Sequence, residues 1–181
     1  MRDTIHPRPN ITVLANWLIS LAVTFFFFLP LYAGSTDENS WLTMEFSESD
    51  DKYLTLSRER INQLTQTLFG ARFHGERAHD IALLQRLLDE KRIAADNRQL
   101  LQSMGVILAD LMMFEFNLKW VIYLDHYGRS RALQIKHSEY FLFPITIISR
   151  RAETGLAVDI DALYDTMSGR VNDYYQRQRY D

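Results

Sequence analysis

Asp110 is the residue of this sequence best placed to do chemistry. On a helix its near neighbours Val106, Ile107, Met113 and Phe114 are all apolar. A carboxylate desolvated in that way must find a cation or hydrogen-bond donors, or keep its proton. Two arrangements meet that demand. In one, Asp110 is a structural ion pair or a loop cap, with Arg150 or Arg151 as its partner. In the other it is a general acid or a ligand-binding group, because structural networks and active sites perturb carboxylates alike. Asp125 and Arg129 flank a turn at Asp125-His126-Tyr127-Gly128 and are expected to fix it. Trp120 and its Tyr and Phe neighbours could line a groove, but both faces of their strand are apolar and core packing is the expected use. Glu115 and Lys119, four residues apart, read as a surface helix pair.

Other chemistries find little support. His74 and His79 are five residues apart, not the four that would put both on one helix face. With no cysteine and no clustered carboxylates, neither a metal site nor a cofactor is expected. There is no Gly-x-Ser-x-Gly elbow, and Ser103, Ser138, Ser149 and Ser168 have no motif-level base beside them, although distant residues can still assemble a triad. The seven glycines include no phosphate-binding loop. Net charge is −3, and Arg150-Arg151 is the nearest approach to a basic stripe, so nucleic acid is not an expected partner.

These residues need elements to position them. Ile61, Leu64 and Leu68 recur at helical spacing from Ser57 to a stop at Gly70, and Ile81, Leu84, Leu87 and Leu88 repeat the pattern after Asp80. From Asp96 to Phe116 the apolar set covers more than one face, the mark of a buried helix. It is too short and too interrupted for a membrane span. The period then changes to two. Lys119 to Leu124 and Arg131 to Lys136 form a hairpin around Gly128, His137-Ser138-Glu139 turns again, and Tyr140 to Phe143 reads as a third strand. Pro144 suits the first position of a helix through Ala152, with a strand as the alternative because Ile145, Ile147 and Ile148 are β-branched. Asp159 caps a last helix through Leu163, Met167 and Val171. The fold class is α+β: N-terminal helices packed on a small antiparallel meander of about three strands, with closing C-terminal helices.

The N-terminus has another character. Arg2 and Arg8 precede an uncharged apolar run from Ile11 to Ala33, and small residues follow. That is the pattern of a secretory signal, cut after Ala33 or Ser35. The rival is an uncleaved anchor over 11–32, since roughly 20 apolar residues cross a bilayer. The expected organisation is a signal peptide or signal anchor at 1–33, a polar linker at 34–55, one domain at 56–176 and a frayed tail at 177–181. Without a cysteine, lipid attachment and a disulfide framework are both excluded. Loss of the signal removes Arg2, Arg8 and Asp3, making the remainder one unit more negative.

Several of these residues recur in a familiar order. Gln85-Arg86-Leu87-Leu88-Asp89, the buried helix with Gly105 and Asp110, Lys119-Trp120-Val121 leading to Asp125-x-x-Gly128-Arg129, Phe143-Pro144 and Ser149-Arg150-Arg151 together resemble the bacterial domain of unknown function 3806. The resemblance runs roughly from Asp80 to Leu163. His126 and Tyr127 depart from it, standing where an acidic residue is expected after the turn aspartate. The family has no assigned activity, so the resemblance implies a fold and imports no catalytic residues. It singles out Asp110, Trp120, Asp125 and Gly128.

The expectation is an exported, periplasmic, non-enzymatic module that binds an envelope protein or a small ligand through the helix-sheet cleft or the hairpin tip, touching a membrane only through an uncleaved signal. The alternatives are a hydrolase using Asp110 with Arg150 or Arg151, and an inhibitor or immunity protein for a secreted toxin.

Overall fold

A computed structural model describes residues 40–136 and 138–179. The chain divides into two units, 1–37 and 38–181, and the described residues belong to the second. The expected signal or anchor, the start of the linker, His137 and the last two residues lie outside the described set.

The elements run β1 (Leu42–Met44), α1 (Glu48–Phe69), α2 (Arg77–Asp89), α3 (Arg98–Phe116), β2 (Lys119–Asp125), β3 (Gly128–Gln134), β4 (Phe141–Leu142), a 3-10 turn (Pro144–Thr146), α4 (Ile147–Glu153) and α5 (Ile160–Arg177). Among the described residues, five helices and a four-stranded antiparallel sheet make the α+β fold, with helices on both sides of the meander in sequence. The sheet order is β1-β2-β3-β4. Its fourth strand comes from the stretch read as linker, where Leu42, Thr43 and Met44 pair with Leu124, Tyr123 and Ile122. The same stretch holds the first two turns of α1, which starts well ahead of Ser57.

Most helix ends follow the local signals. Asn97 and Asp159 accept N–H bonds from Leu100 and Ala162 at the starts of α3 and α5. Gly70 closes α1 with φ +66°. At α2 the cap is Glu76, which accepts the N–H groups of Ala78 and His79. Asp80 instead sits buried in the first turn.

The core is built around α3. Leu101, Met104, Leu108 and Met112 are buried in it, and every other helix touches α3. Among the described residues α3 is the one helix long and apolar enough to cross a membrane, and it serves here as the hub of the packing. Gly105 lets its backbone approach the 3-10 turn closely, since a Cβ there would sit 2.5 Å from the Ile145 carbonyl oxygen. Leu133, Leu142 and Ile122 bury one sheet face. On the other, Trp41 stacks on Tyr123 at 5.8 Å and meets Phe141 edge-on at 5.1 Å. Residues 145–152 are the 3-10 turn and α4 rather than a strand.

Candidate functional site

Three of the six residues singled out by sequence converge on one groove. Asp125, Arg129 and Arg150 line a cavity of about 570 Å³ between the hairpin, the 3-10 turn and α4. β4 pairs only with Leu133 and Gln134, so among the described residues the earlier part of β3 has no strand partner on that side. The groove runs along this open edge. Tyr53, Tyr123, Tyr127 and Phe143 supply its aromatic lining, and Arg131 adds a third guanidinium.

Asp50 holds two of those arginines. It is fully buried at the start of α1, and its carboxylate accepts from Arg129 Nη2 at 2.6 Å and Arg131 Nε at 3.0 Å, with Arg131 Nη2 in ion-pair contact at 2.9 Å. Ser47 adds its backbone N–H at 3.0 Å and its hydroxyl at 2.6 Å. Burial alone pushes this carboxyl up. The hydrogen bonds from Arg129 and Ser47, with the charge of Arg131, outweigh that and hold it well below the usual carboxylate range. Arg131 also lies 4.0 Å above the Tyr53 ring, which fixes the plane of its guanidinium.

The hairpin tip is held differently from the sequence expectation. Asp125 Oδ1 accepts the Tyr127 N–H at 2.8 Å, and Gly128 follows with φ +114°. Asp125 therefore fixes the turn without Arg129, which reaches Asp50. Arg150 is exposed and forms no ion pair with any described carboxylate; its charge is felt by Glu153. Three guanidinium groups thus face two carboxylates across the groove and its floor. Three guanidinium nitrogens are spent on Asp50, which leaves the other donors and the whole of Arg150 available to a ligand.

Asp110 lies elsewhere. It is half-buried and takes a two-pronged contact from Arg58 of α1, Nε to Oδ2 and Nη2 to Oδ1, each at 2.7 Å. Neither Arg150 nor Arg151 reaches it. The reason is helical rotation: Gly105 faces the 3-10 turn ahead of α4, and five residues later the helix has turned about 140°. The Arg58–Asp110 pair borders a cavity of about 460 Å³ with Phe73 and Phe114. Arg151 is exposed on α4 near Arg170 and Phe141, with Arg150 between this patch and the groove. Trp120 packs 5.7 Å from Phe46, against Leu54, Val106 and Ile145, and its buried Nε1 has no hydrogen-bond partner among the described residues. Glu115 and Lys119 do not pair. Glu115 accepts the Tyr164 hydroxyl, and Lys119 reaches Glu45 at 2.8 Å.

Sequence reasoning passed over Asp50, Arg131 and the groove aromatics Tyr53, Tyr127 and Phe143. A signal for Asp50 was present, since Ser47-x-x-Asp50 has the spacing of a capping box with Asp in place of Glu. It lay inside the stretch read as linker.

The fold has a solved counterpart. A crystal structure from Bacteroides thetaiotaomicron VPI-5482, at 1.50 Å resolution, superposes with a TM-score of 0.64 at 14% identity over 72% of this chain and 48% of that one. This chain therefore spans about half the length of its structural match, and at that identity the likeness shows the fold alone. No curated protein matches the sequence. Residues 80–164, from the first turn of α2 to Tyr164 in α5, match the family model described as Domain of unknown function (DUF3806), the family that the sequence resemblance named.

Proposed function

We propose that this chain is a non-enzymatic binding module of the cell envelope whose groove beside the open edge of β3 takes a ligand bearing a carboxylate or phosphate. The observation that carries this reading is the convergence of Arg129, Arg131 and Arg150 on one groove where the buried carboxylate, Asp50, uses three guanidinium nitrogens. Fork-shaped guanidinium groups match planar oxyanions, and the aromatic rings beside them suit an apolar or planar body attached to the charge. Asp125 Oδ1 accepts the Tyr127 N–H, and no histidine lines the groove among the described residues. Asp110 is held by Arg58 and forms no ion pair with Arg150 or Arg151 among the described residues, which favours the binding reading over the hydrolase one. Export from the cytoplasm is part of the proposal and is supported by the charge-flanked apolar run at the N-terminus.

The test is an amide-resonance titration of the full chain with inorganic phosphate, a dicarboxylate, an aryl phosphate and an acidic peptide. The expected result is saturable movement of Arg129 to Arg131 and Arg150 with at least one of these. Arg150→Ala should weaken that binding about tenfold or more, the size of one charge-assisted hydrogen bond. Equal binding by wild type and Arg150→Ala, or shifts confined to another surface, would remove the groove as the site.

A further inference from the structure

We infer that His74, His79 and Asp80 form a binding site for one divalent transition-metal ion of the zinc class, separate from the anion groove. In sequence the two histidines are five apart and cannot share a helix face. The structure evades that rule because they do not share a helix. Gly75 adopts φ +86° and turns the chain just before the Glu76 cap, so His74, in the loop, folds back over His79 in the first turn of α2. Their rings stack at 4.2 Å with 24° between planes. One nitrogen of each ring and one oxygen of Asp80 lie within 4.8 Å of one another. Ligands held at roughly 2.0–2.2 Å from a common ion are about 3–4 Å apart, so the set must contract slightly, and because imidazole lone pairs lie in the ring plane the stacked rings must also rotate out of parallel, a movement that exposed His74 is free to make.

The surroundings are those of a ligand set rather than a chance contact. Asp80 is buried, and the backbone N–H groups of Gly75 and His74 donate to its carboxylate at 2.8 and 3.2 Å, fixing its plane. His79 Nδ1 lies 2.9 Å from Asp80 Oδ1, and the His79 N–H is tied to the Glu76 carboxylate at 2.7 Å. The backbone hydrogen bonds orient these groups before the ion arrives, whereas the His79 Nδ1–Asp80 contact joins two of the ligands themselves and must give way as the ion enters. A helix N-terminus repels a cation, but Glu76 and Asp80 bring two carboxylates to this one. Two imidazole nitrogens and one oxygen select zinc, cobalt or nickel over calcium and magnesium, which prefer oxygen ligands. His74 is exposed, leaving the remaining coordination positions open to solvent, and it borders the cavity that also holds Arg58 and Asp110.

The experiment uses the full chain, untagged and stripped with a chelator, titrated calorimetrically with Zn²⁺ and, in parallel, with Co²⁺ read by its visible absorption. One equivalent per chain is expected, with a melting temperature that rises with Zn²⁺ and not with Mg²⁺. Asp80→Ala would also release the Gly75 loop, so the informative variants are His74→Ala, whose side chain makes no hydrogen bond within the described residues, and His79→Gln. Each should weaken uptake about tenfold or more while keeping the far-ultraviolet spectrum of the wild type. His6, His126 and His137 remain in both variants, so loss of binding assigns the ion to the loop. Absence of saturable uptake, or uptake retained by both variants, overturns the assignment.

Discussion

Replacing Gly105 by alanine tests whether α3 and the 3-10 turn are as closely packed as the structure requires. The added Cβ would stand 2.5 Å from the Ile145 carbonyl oxygen, 2.7 Å from that of Pro144 and 2.8 Å from the Ile145 carbonyl carbon. All three obstacles are backbone, so no side chain can swing away, and the turn itself must retreat. Overpacking of a tight interior costs about 1–3 kcal/mol, and a backbone obstruction belongs at or above the upper end. Alanine returns about 1 kcal/mol of helix propensity relative to glycine. The net expectation is a loss of about 2 kcal/mol, which for a domain of this size lowers the melting temperature by roughly 4–8 °C. Urea and thermal melts of Gly105→Ala against wild type measure it directly. The same retreat moves Ile145 and Thr146, which line the anion groove, so affinity for the groove's ligand should fall at temperatures where the variant is fully folded. A variant as stable as wild type, or more stable, would show that α3 does not touch the turn and that glycine is dispensable there.

Two further substitutions separate the charged groups. Asp50→Asn leaves Arg129 and Arg131 without their counter-charge; since both guanidinium groups keep partial contact with water, the cost should fall below the range for a fully buried pair, at about 2–3 kcal/mol near neutral pH. Because folding depresses the Asp50 carboxyl, its stabilisation is present above the unfolded value near pH 4 and is lost as pH falls through the folded one. The gap between wild type and Asp50→Asn should therefore close in melts taken progressively below pH 4, and a gap constant with pH would contradict the assignment. Asp110→Asn breaks a half-exposed pair and should cost about 1 kcal/mol or less in a denaturant melt, with anion binding in the groove unchanged; loss of that binding would tie Asp110 to the site.

What could be read ahead of the structure divides by the distance over which a residue finds its partner. α3 was legible because apolar residues surround it within 20 positions, and the hairpin because Asp125 bonds to Tyr127, two residues on. The cap of α5 by Asp159 is equally local. β1 was not legible: Leu42 and Met44 alternate with Thr43, but the strand is three residues long and all of them are exposed, so their place in the sheet comes from pairing with β2, about eighty positions later. The start of α1 was hidden by its polar composition, even though Ser47 and Asp50 stand at capping distance.

The site residues obey the same division. The apolar neighbours of Asp110 call for a partner, but which arginine answers it depends on the rotation of α3 against α1, and Arg58 is 52 residues away. Asp50 and Arg129 are 79 apart, and nothing local to either announces the other. His74 and His79 show the converse. They are close in sequence, yet the rule for metal spacing assumes a continuous helix, and a single left-handed glycine between them replaces that geometry with a fold-back that the rule does not describe. Composition and periodicity report what each segment needs. Which residue meets the need is set where two segments cross, and at Asp50, Asp110 and His74 the crossing is the chemistry.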